Sequence, residues 1–141
     1  MIDAPPIVPE LDVSDLDRSL AVYLDIFGFK CLVDRPEERF VYLVRGRVHL
    51  MLEEASGPGR RFRTAPLEIP YGRGMNLQIE IPDVDTLYAR VERSGLAVHI
   101  PLEERWYRQG PAEAGNRQFV VADPDGYLLR FFSSLGRRSI R

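Results

Sequence analysis

Polar and apolar residues alternate in the segment Glu10-Leu11-Asp12-Val13, as they do in a strand that buries one face. Ser14 and Asp15 follow and are suited to cap the N-terminus of a helix. The next apolar residues form one helical stripe, and Gly28 stands where a left-handed residue often ends a helix. The stripe consists of Leu16, Leu20, Tyr23, Leu24 and Phe27. This pattern predicts a strand that leads into an amphipathic helix.

The same pattern returns later, because the segment from Val8 to Gly28 is echoed by the segment from Asn76 to Gly95. The second copy repeats the alternation, the capping aspartate at Asp83 and the terminal glycine. Strand-like segments follow each helix. They cover residues 29–33, 40–44 and 48–52 in the first copy, and residues 97–100, 119–122 and 127–132 in the second. Each copy therefore predicts a βαβββ unit.

Two tandem βαβββ units predict an α+β fold, which we place in one domain over residues 1–141. We assign the first unit to residues 6–54, a linker rich in Gly, Pro and Arg to residues 55–74, the second unit to residues 75–134 and a C-terminal tail to residues 135–141. An irregular stretch, residues 101–116, is interpreted as a lid. Each unit has one helix, which covers only one face of an antiparallel sheet, so the other face must line something.

The charge of the chain is nearly balanced, since 19 basic and 21 acidic residues give a net charge of −2. These residues are scattered, and we expect no nucleic-acid partner. The basic run Arg137, Arg138 and Arg141 is interpreted as a solvated tail. Cys31 is the only cysteine and cannot form an internal disulfide, the N-terminus shows no secretory leader, and no apolar run approaches the roughly 20 residues that span a bilayer. We therefore expect a cytoplasmic protein without a membrane partner.

Three motifs point to a family. They are Val8-Pro9-Glu10-Leu11-Asp12-Val13-Ser14-Asp15-Leu16, the helix end Phe27-Gly28-Phe29, and Gly115-Asn116-Arg117-Gln118-Phe119 leading to Asp123-Pro124-Asp125-Gly126. In this order they resemble bleomycin-resistance proteins, a branch of the glyoxalase/bleomycin-resistance (vicinal oxygen chelate) superfamily, over nearly the whole chain. The resemblance implies curled mixed sheets around a cup and a homodimer. Pro9 is similar to a proline of the family's N-terminal arm, which implies arm exchange between the chains; the alternative is an edge-strand proline.

The resemblance also implies four positions at which enzymes of the superfamily hold a divalent metal ion. They fall on Val8, His49, Asn76 and Arg130. Valine has no donor atom, asparagine is a weak neutral ligand and arginine stays protonated, while a lone histidine on a strand is more often a structural residue than a ligand. The second histidine, His99, matches no ligand position. We therefore predict no metal ion and no cofactor.

Seven residues are predicted to line the cup and bind a small molecule. Period-two alternation aims Phe40, Tyr42 and His49 at one sheet face if the hairpin register is as interpreted. Phe40 is similar to a phenylalanine that lines the drug crevice of bleomycin-resistance proteins, although it can equally pack in the core. The full set is Phe40, Tyr42, His49, Asn76, Trp106, Arg117 and Arg130.

Two departures from the family bear on the ligand. The family's tryptophan before its Gly-Arg-x-Phe segment is Gly115 here, and the glycine after it is Asn116. Trp106 is the only tryptophan and is predicted either to cover the mouth of the cup or to pack within its own loop. Arg130 and Arg117 favour a neutral or anionic aromatic ligand over cationic bleomycin, because guanidinium groups bind carboxylate or phosphate. The alternative for Arg117 is a surface ion pair.

Three functions are compatible with these residues. The first is a metal-free binding protein that sequesters an antibiotic or a related aromatic compound, with no catalytic residue. The second is an enzyme of the glyoxalase superfamily, of lyase or dioxygenase type, acting on a small organic substrate; without a metal ion, His49 would be its general base beside Arg130. The third is a scaffold or regulatory protein whose cup is filled by its own side chains.

Overall fold

The computed structural model describes residues 2–140, and the chain divides into two compact units, Met1–Ile69 and Pro70–Arg141. The first unit contains β1 (Glu10–Val13), α1 (Leu16–Asp25), β2 (Lys30–Arg35), a single 3-10 turn (Pro36–Glu38), β3 (Phe40–Arg45) and β4 (Val48–Glu54). The second contains β5 (Asn76–Glu80), α2 (Val84–Ser94), β6 (Val98–Gln109), β7 (Ala112–Ala122) and β8 (Leu128–Ser139). Both βαβββ units and the α+β class are confirmed, while the single domain and the assigned bounds of the two units and of the linker stay a prediction.

Each unit forms one four-stranded mixed sheet. The strand order is β1-β4-β3-β2 in the first unit and β5-β8-β7-β6 in the second. The first strand of each unit pairs in parallel with the last, and the other pairs are antiparallel. Neither helix within residues 2–140 has the length and apolar character that crossing a membrane requires.

Both helices begin at the predicted capping residues. The Asp15 carboxylate accepts a hydrogen bond from the backbone N–H of Arg18 at 3.1 Å, and the Asp83 carboxylate accepts one from Thr86 N–H at 3.1 Å. Such a side-chain acceptor satisfies an N–H group that has no partner inside the helix. Gly95 ends α2 with φ of 80°, a left-handed conformation that glycine adopts without a Cβ clash.

The two faces of each sheet differ in burial. In the second unit, Phe119 and Phe131 are fully buried and stack with 5.7 Å between ring centroids, and Tyr88 of α2 packs edge-on against Phe119 at 5.0 Å. These residues define the face that the helix covers. In the first unit, α1 packs against β4, and the buried rows Leu11–Leu52 and Leu43–Leu50 alternate with residues of the opposite face. One face of each sheet has no helix of its own unit on it.

The predicted lid over residues 101–116 is wrong, because most of this stretch belongs to the paired strands β6 and β7. The strands run antiparallel from the Glu103 and Gln118 pair to the Gln109 and Ala112 pair. Most residues of β6 are exposed on both faces. A strand that buries neither face shows no alternation of polar and apolar residues, and the sequence pattern therefore missed it.

The predicted C-terminal tail over residues 135–141 is also wrong as far as Ser139, where β8 ends. Arg137 pairs with Ala114 and Arg138 with Glu113 in the β7–β8 ladder. Arg138 forms an ion pair with Glu113, so two of the three basic residues belong to a strand and are not a solvated tail. The third, Arg141, lies outside the described residues.

Candidate functional site

The first sheet carries Phe40, Tyr42 and His49 on its helix-free face, as predicted from the alternation. The β3–β4 register pairs Phe40 with Glu53, Tyr42 with Met51, and Val44 with His49, and paired residues project from the same face of a sheet. The hydroxyl of Tyr42 lies 2.7 Å from Nδ1 of His49. The two rings meet edge-on, with 5.5 Å between their centroids.

Phe40 is largely inaccessible in the chain. Phe40 is only 5% exposed, and the guanidinium carbon of Arg35 lies 4.0 Å from its ring centroid. An arginine at this distance from a phenyl face makes a cation–π contact. The packing therefore favours the alternative that Phe40 is a structural residue of the first unit.

Arg61 and Glu53 form a buried ion pair that the sequence analysis missed. Nη1 of Arg61 lies 3.0 Å from Oε2 of Glu53, and their side chains are 10% and 7% exposed. The guanidinium also donates to the backbone carbonyls of Glu54 and Glu38. A Cβ atom at Gly57 would lie 2.5 Å from Nη2 of Arg61. The glycine in the predicted linker leaves room for this side chain, and it is the one signal by which the pair could have been found.

Glu53 has an unusual ionisation. Burial, a hydrogen bond that protonated Glu53 donates to Glu10, and the negative charges of Glu10 and Asp12 raise the pKa of Glu53 to about 7, although the positive charge of Arg61 opposes the shift. The neighbouring Glu54 behaves in the opposite way, because its hydrogen bond from Arg39 lowers its pKa. The helix-free face of the first sheet is thus acidic, and part of its charge is neutralised inside the chain.

The helix-free face of the second sheet contains the predicted residues Asn76 and Arg130. A cavity of about 440 Å³ lies on this face. A second hollow of about 390 Å³ lies on the same face and shares Tyr107 and Arg130 with the first. The lining of the larger cavity is Asn76, His99, Ile100, Glu103, Arg105, Tyr107, Gln118, Val120, Leu128 and Arg130. Tyr107, Gln118 and Arg105 were missed by the sequence analysis, because they lie on the long strands β6 and β7.

Polar side chains in this cavity are connected to one another. Gln118 is 3% exposed, and its amide nitrogen lies 2.7 Å from the Tyr107 hydroxyl and 3.4 Å from a carboxylate oxygen of Glu103. Nε of Arg130 is buried and has no hydrogen-bond partner among residues 2–140. A buried donor without an acceptor costs about 1–3 kcal/mol. Arg130 also lines the cavity, so the accessible part of its guanidinium can donate to a bound molecule.

Five of the seven predicted site residues do not line either cavity. Phe40, Tyr42 and His49 lie on the first sheet, and the other two are Trp106 and Arg117. Trp106 lies between Arg105 and Tyr107 and points to the opposite face of β6, where it covers Gly115. The guanidinium carbon of Arg138 lies 3.8 Å from its ring centroid. Trp106 therefore packs on strands of its own sheet. This agrees with the alternative in which Trp106 packs locally.

Arg117 also lies on the opposite face from the cavity. Its guanidinium makes hydrogen bonds of 2.8, 3.0 and 3.1 Å to the Asp85 carboxylate of α2. This is the surface ion pair that the sequence left open as an alternative. The hydrogen bond with Asp85 raises the pKa of Arg117 and lowers the pKa of Asp85.

The donor set at the superfamily's metal positions does not fit a divalent ion. Asp15 caps α1 and Asp83 caps α2, so each residue in the first strand of the second unit corresponds to the residue 68 positions earlier in the first unit. Glu10 pairs with Met51, and Gln78 (10 + 68) pairs with Arg130. The register therefore makes Met51 the counterpart of Arg130, which corrects our assignment of His49 to that position.

Methionine is a soft ligand that does not suit hard divalent ions, and Val8, Asn76 and Arg130 supply no charged donor. Among residues 2–140, no group of three or more His, Cys, Asp or Glu side chains could hold a metal ion.

Comparison with known proteins identifies the family. The model of the Glyoxalase/Bleomycin resistance protein/Dioxygenase superfamily matches residues 8–131. A bleomycin resistance protein of Geobacillus stearothermophilus is 29% identical over 135 residues, which cover 91% of this chain and 96% of that protein.

Two solved structures have the same fold. TioX from Micromonospora sp. ML1 is 24% identical with a TM-score of 0.72, and the match covers 92% of this chain and 98% of TioX. A protein of unknown function from Agrobacterium tumefaciens str. C58 is 30% identical with a TM-score of 0.67, covering 96% and 98%. The chain belongs to the glyoxalase/bleomycin resistance protein/dioxygenase superfamily.

Proposed function

We propose that the protein binds and sequesters a small organic molecule, an antibiotic or a related aromatic compound, and does not transform it. The observation that carries this proposal is the similarity to bleomycin resistance proteins along almost the full length of both chains. Metal independence and the absence of a cofactor are part of the proposal, supported by the unsuitable donor set at the superfamily's metal positions.

The cavity on the second sheet is our candidate for the binding site. Its volume of about 440 Å³ falls in the range of about 300–1,000 Å³ that is typical of small-molecule pockets. Arg105 and Arg130 line it together with only one carboxylate, that of Glu103. This balance of charge supports a neutral or anionic ligand rather than a cationic one.

A bulky substitution in the cavity tests the site. We expect Leu128→Trp to fill the cavity and abolish ligand binding, whereas Leu135→Trp, on the same strand but outside both cavities, should leave it unchanged. The measurement is isothermal titration with bleomycin and with a panel of neutral and anionic aromatic antibiotics. Binding of the same compound to the wild type and to Leu128→Trp with equal affinity would contradict this site.

Sequestration and catalysis are separated by the fate of the compound. Cells that express the wild type should grow in the presence of the bound antibiotic, and cells that express Leu128→Trp should not. Mass spectrometry of the compound recovered from the protein should show an unchanged mass. A modified product that accumulates with time would instead support the superfamily enzyme.

We propose further that two copies form a homodimer in the cytoplasm, with exchange of the N-terminal arm that precedes β1. Ile7 supports this proposal, because it is 82% exposed within the single chain, and a second copy could cover it. Pro9 itself is held within the chain, since its carbonyl accepts a hydrogen bond from Met51 N–H at 2.9 Å. Sedimentation should give twice the monomer mass, and Ile7→Asp should shift the equilibrium towards monomer, with Asp3→Ala as the control.

A further inference from the structure

The neighbours of Tyr107 determine whether its hydroxyl donates or accepts the hydrogen bond with Gln118. Nε2 of Gln118 lies 2.7 Å from Tyr107 Oη and 3.4 Å from Oε2 of Glu103. Because a carboxylate only accepts hydrogen bonds, the group that faces Glu103 is the amide NH₂, which only donates. The amide oxygen on the other side accepts from Nδ2 of Asn116 at 3.5 Å. Tyr107 Oη therefore accepts the hydrogen bond from Gln118, and its own proton remains available to another acceptor.

No acceptor for this proton is found among residues 2–140. The guanidinium of Arg130 is a further donor on this face, since no hydrogen bond from it to residues 2–140 is found and its Nε is buried. Tyr107 and Arg130 line both hollows of the helix-free face. Two donors without acceptors therefore border the same space, one neutral and one permanently charged.

We propose that Tyr107 and Arg130 form a two-donor subsite for a carboxylate group of the ligand. This inference rests on the proposed function, in which the ligand occupies the cavity of the second unit. The planar edge formed by the two Nη groups of Arg130 matches the two oxygens of a carboxylate, and the Tyr107 hydroxyl donates a further hydrogen bond to the same group. Gln118 is a positioning residue, since it acts on the ligand through the hydroxyl of Tyr107.

The charges around the subsite favour an anion. Arg105 lines the same cavity and adds a second positive charge. Glu103 is the only carboxylate among the residues that line this cavity, and it faces the Gln118 amide. Glu80 lines the second hollow, which contains no arginine of residues 2–140 besides Arg130. In a partly buried site a carboxylate therefore gains more than a neutral amide of the same shape, because charge-assisted hydrogen bonds are roughly twice as strong as neutral ones.

A pair of matched probes tests this subsite. 2-Naphthoate and 2-naphthamide have the same ring system and nearly the same shape, but only the first carries a charge at neutral pH. Each is titrated into ¹⁵N-labelled protein, and the dissociation constant is taken from the backbone resonances of β6, β7 and β8. We expect the wild type to bind naphthoate about tenfold more tightly than naphthamide, as a charge-assisted hydrogen bond predicts.

Three variants assign the preference to the two side chains, and two controls accompany them. Arg130→Met should remove the preference for naphthoate, and Tyr107→Phe should weaken naphthoate binding about threefold or more with little effect on naphthamide. Arg130→Lys keeps the charge but loses the planar edge and should retain only part of the preference. The controls are Arg117→Met and Tyr88→Phe, which change the same residue types on the helix-covered face and should behave as the wild type.

The outcomes separate this inference from the proposed function. Equal affinity for the two probes, or an unchanged preference in Arg130→Met and Tyr107→Phe, overturns the subsite. Failure of both probes to shift any cavity resonance also overturns it, while antibiotic sequestration is still decided by the growth and mass measurements. Conversely, a naphthoate preference that depends on both residues, in a protein that protects no cell from any antibiotic, supports the subsite and refutes sequestration.

Discussion

The hydroxyl of Tyr42 lies 2.7 Å from Nδ1 of His49, across the antiparallel pair β3–β4. The two residues are diagonal neighbours in the ladder, because Tyr42 pairs with Met51 and His49 pairs with Val44. Tyr42 is only 7% exposed, so a partner for its hydroxyl is a condition for burying the ring without a penalty. The contact gives His49 a structural role that does not depend on a metal ion.

The Tyr42–His49 contact should appear as an energetic coupling. His49→Ala leaves the buried hydroxyl without its partner and should lower the free energy of unfolding by about 1–2 kcal/mol, and Tyr42→Phe removes the hydroxyl itself. In a double-mutant cycle measured by urea unfolding, we expect a coupling energy of about 0.5–1.5 kcal/mol. Additive effects of the two substitutions would show that the hydrogen bond contributes nothing to stability.

Among the arginines of the first unit, Arg61 should be one of those whose substitution lowers the free energy of unfolding most. Arg61→Ala removes the counter-charge of Glu53 and four hydrogen bonds to backbone carbonyls, and we expect a loss of about 3 kcal/mol at pH 8, where Glu53 is ionised. The control is Arg60→Ala, whose side chain contacts the ring of the exposed Phe62. Thermal unfolding compares the two variants, and equal melting temperatures would contradict the role of Arg61.

The contrast between these two contacts shows what the sequence could predict. The alternation in β3 and β4 was sufficient to place Tyr42 and His49 on one face, since both strands have one buried side. The capping aspartates of α1 and α2 were predicted for the same reason, because a cap acts within three residues of itself. Local patterns of this kind determined both βαβββ units.

Contacts over longer distances left no such pattern. Arg61 comes from a segment without periodicity and reaches back to Glu53, and Arg117 pairs with Asp85 rather than with a residue of the cavity. Strand β6 buries too little of either face beyond Glu103 to show alternation. The position of Tyr107 beside Gln118 depends on their register, which no local propensity specifies.

Glu53 should make stability depend on pH. Its pKa is raised from 4.5 to about 7 in the folded chain, so the folded state binds the proton more tightly than the unfolded state does. The stabilisation from this proton is complete below pH 4.5 and is lost as the pH rises to about 7. The groups that face Glu53 are Glu10, Asp12 and Arg61. Burial and the negative charges of Glu10 and Asp12 raise the pKa of Glu53 by more than the positive charge of Arg61 lowers it.

Glu53→Gln should remove this dependence. Between pH 4.5 and 7 the free energy of unfolding of the wild type should fall relative to that of the variant by about 1–3 kcal/mol. Glu54→Gln is the matched control with the opposite sign, since the pKa of Glu54 is lowered and the wild type should lose stability relative to that variant as the pH falls. Parallel stability curves for the wild type and Glu53→Gln would exclude a raised pKa at this residue.

The last prediction concerns the space above Gly115. A Cβ atom at this residue would lie 2.6 Å from the indole of Trp106, and the Arg138 guanidinium covers the ring from 3.8 Å. The family resemblance expects a tryptophan at position 115, but in this chain the neighbouring strand supplies the indole that lies over the same backbone. We therefore expect the residue at position 115 and the indole of Trp106 to be energetically coupled.

Gly115→Ala should displace the indole and destabilise the fold by about 1–3 kcal/mol, as overpacking does. Trp106 is the only tryptophan, so its fluorescence should shift to longer wavelength when the ring is exposed to water. In a Trp106→Leu background the clash is relieved, and the same Gly115→Ala substitution should cost less than about 0.5 kcal/mol. An equal loss in both backgrounds would locate the cause in the backbone at position 115 rather than in the indole, and the two changes would then be independent.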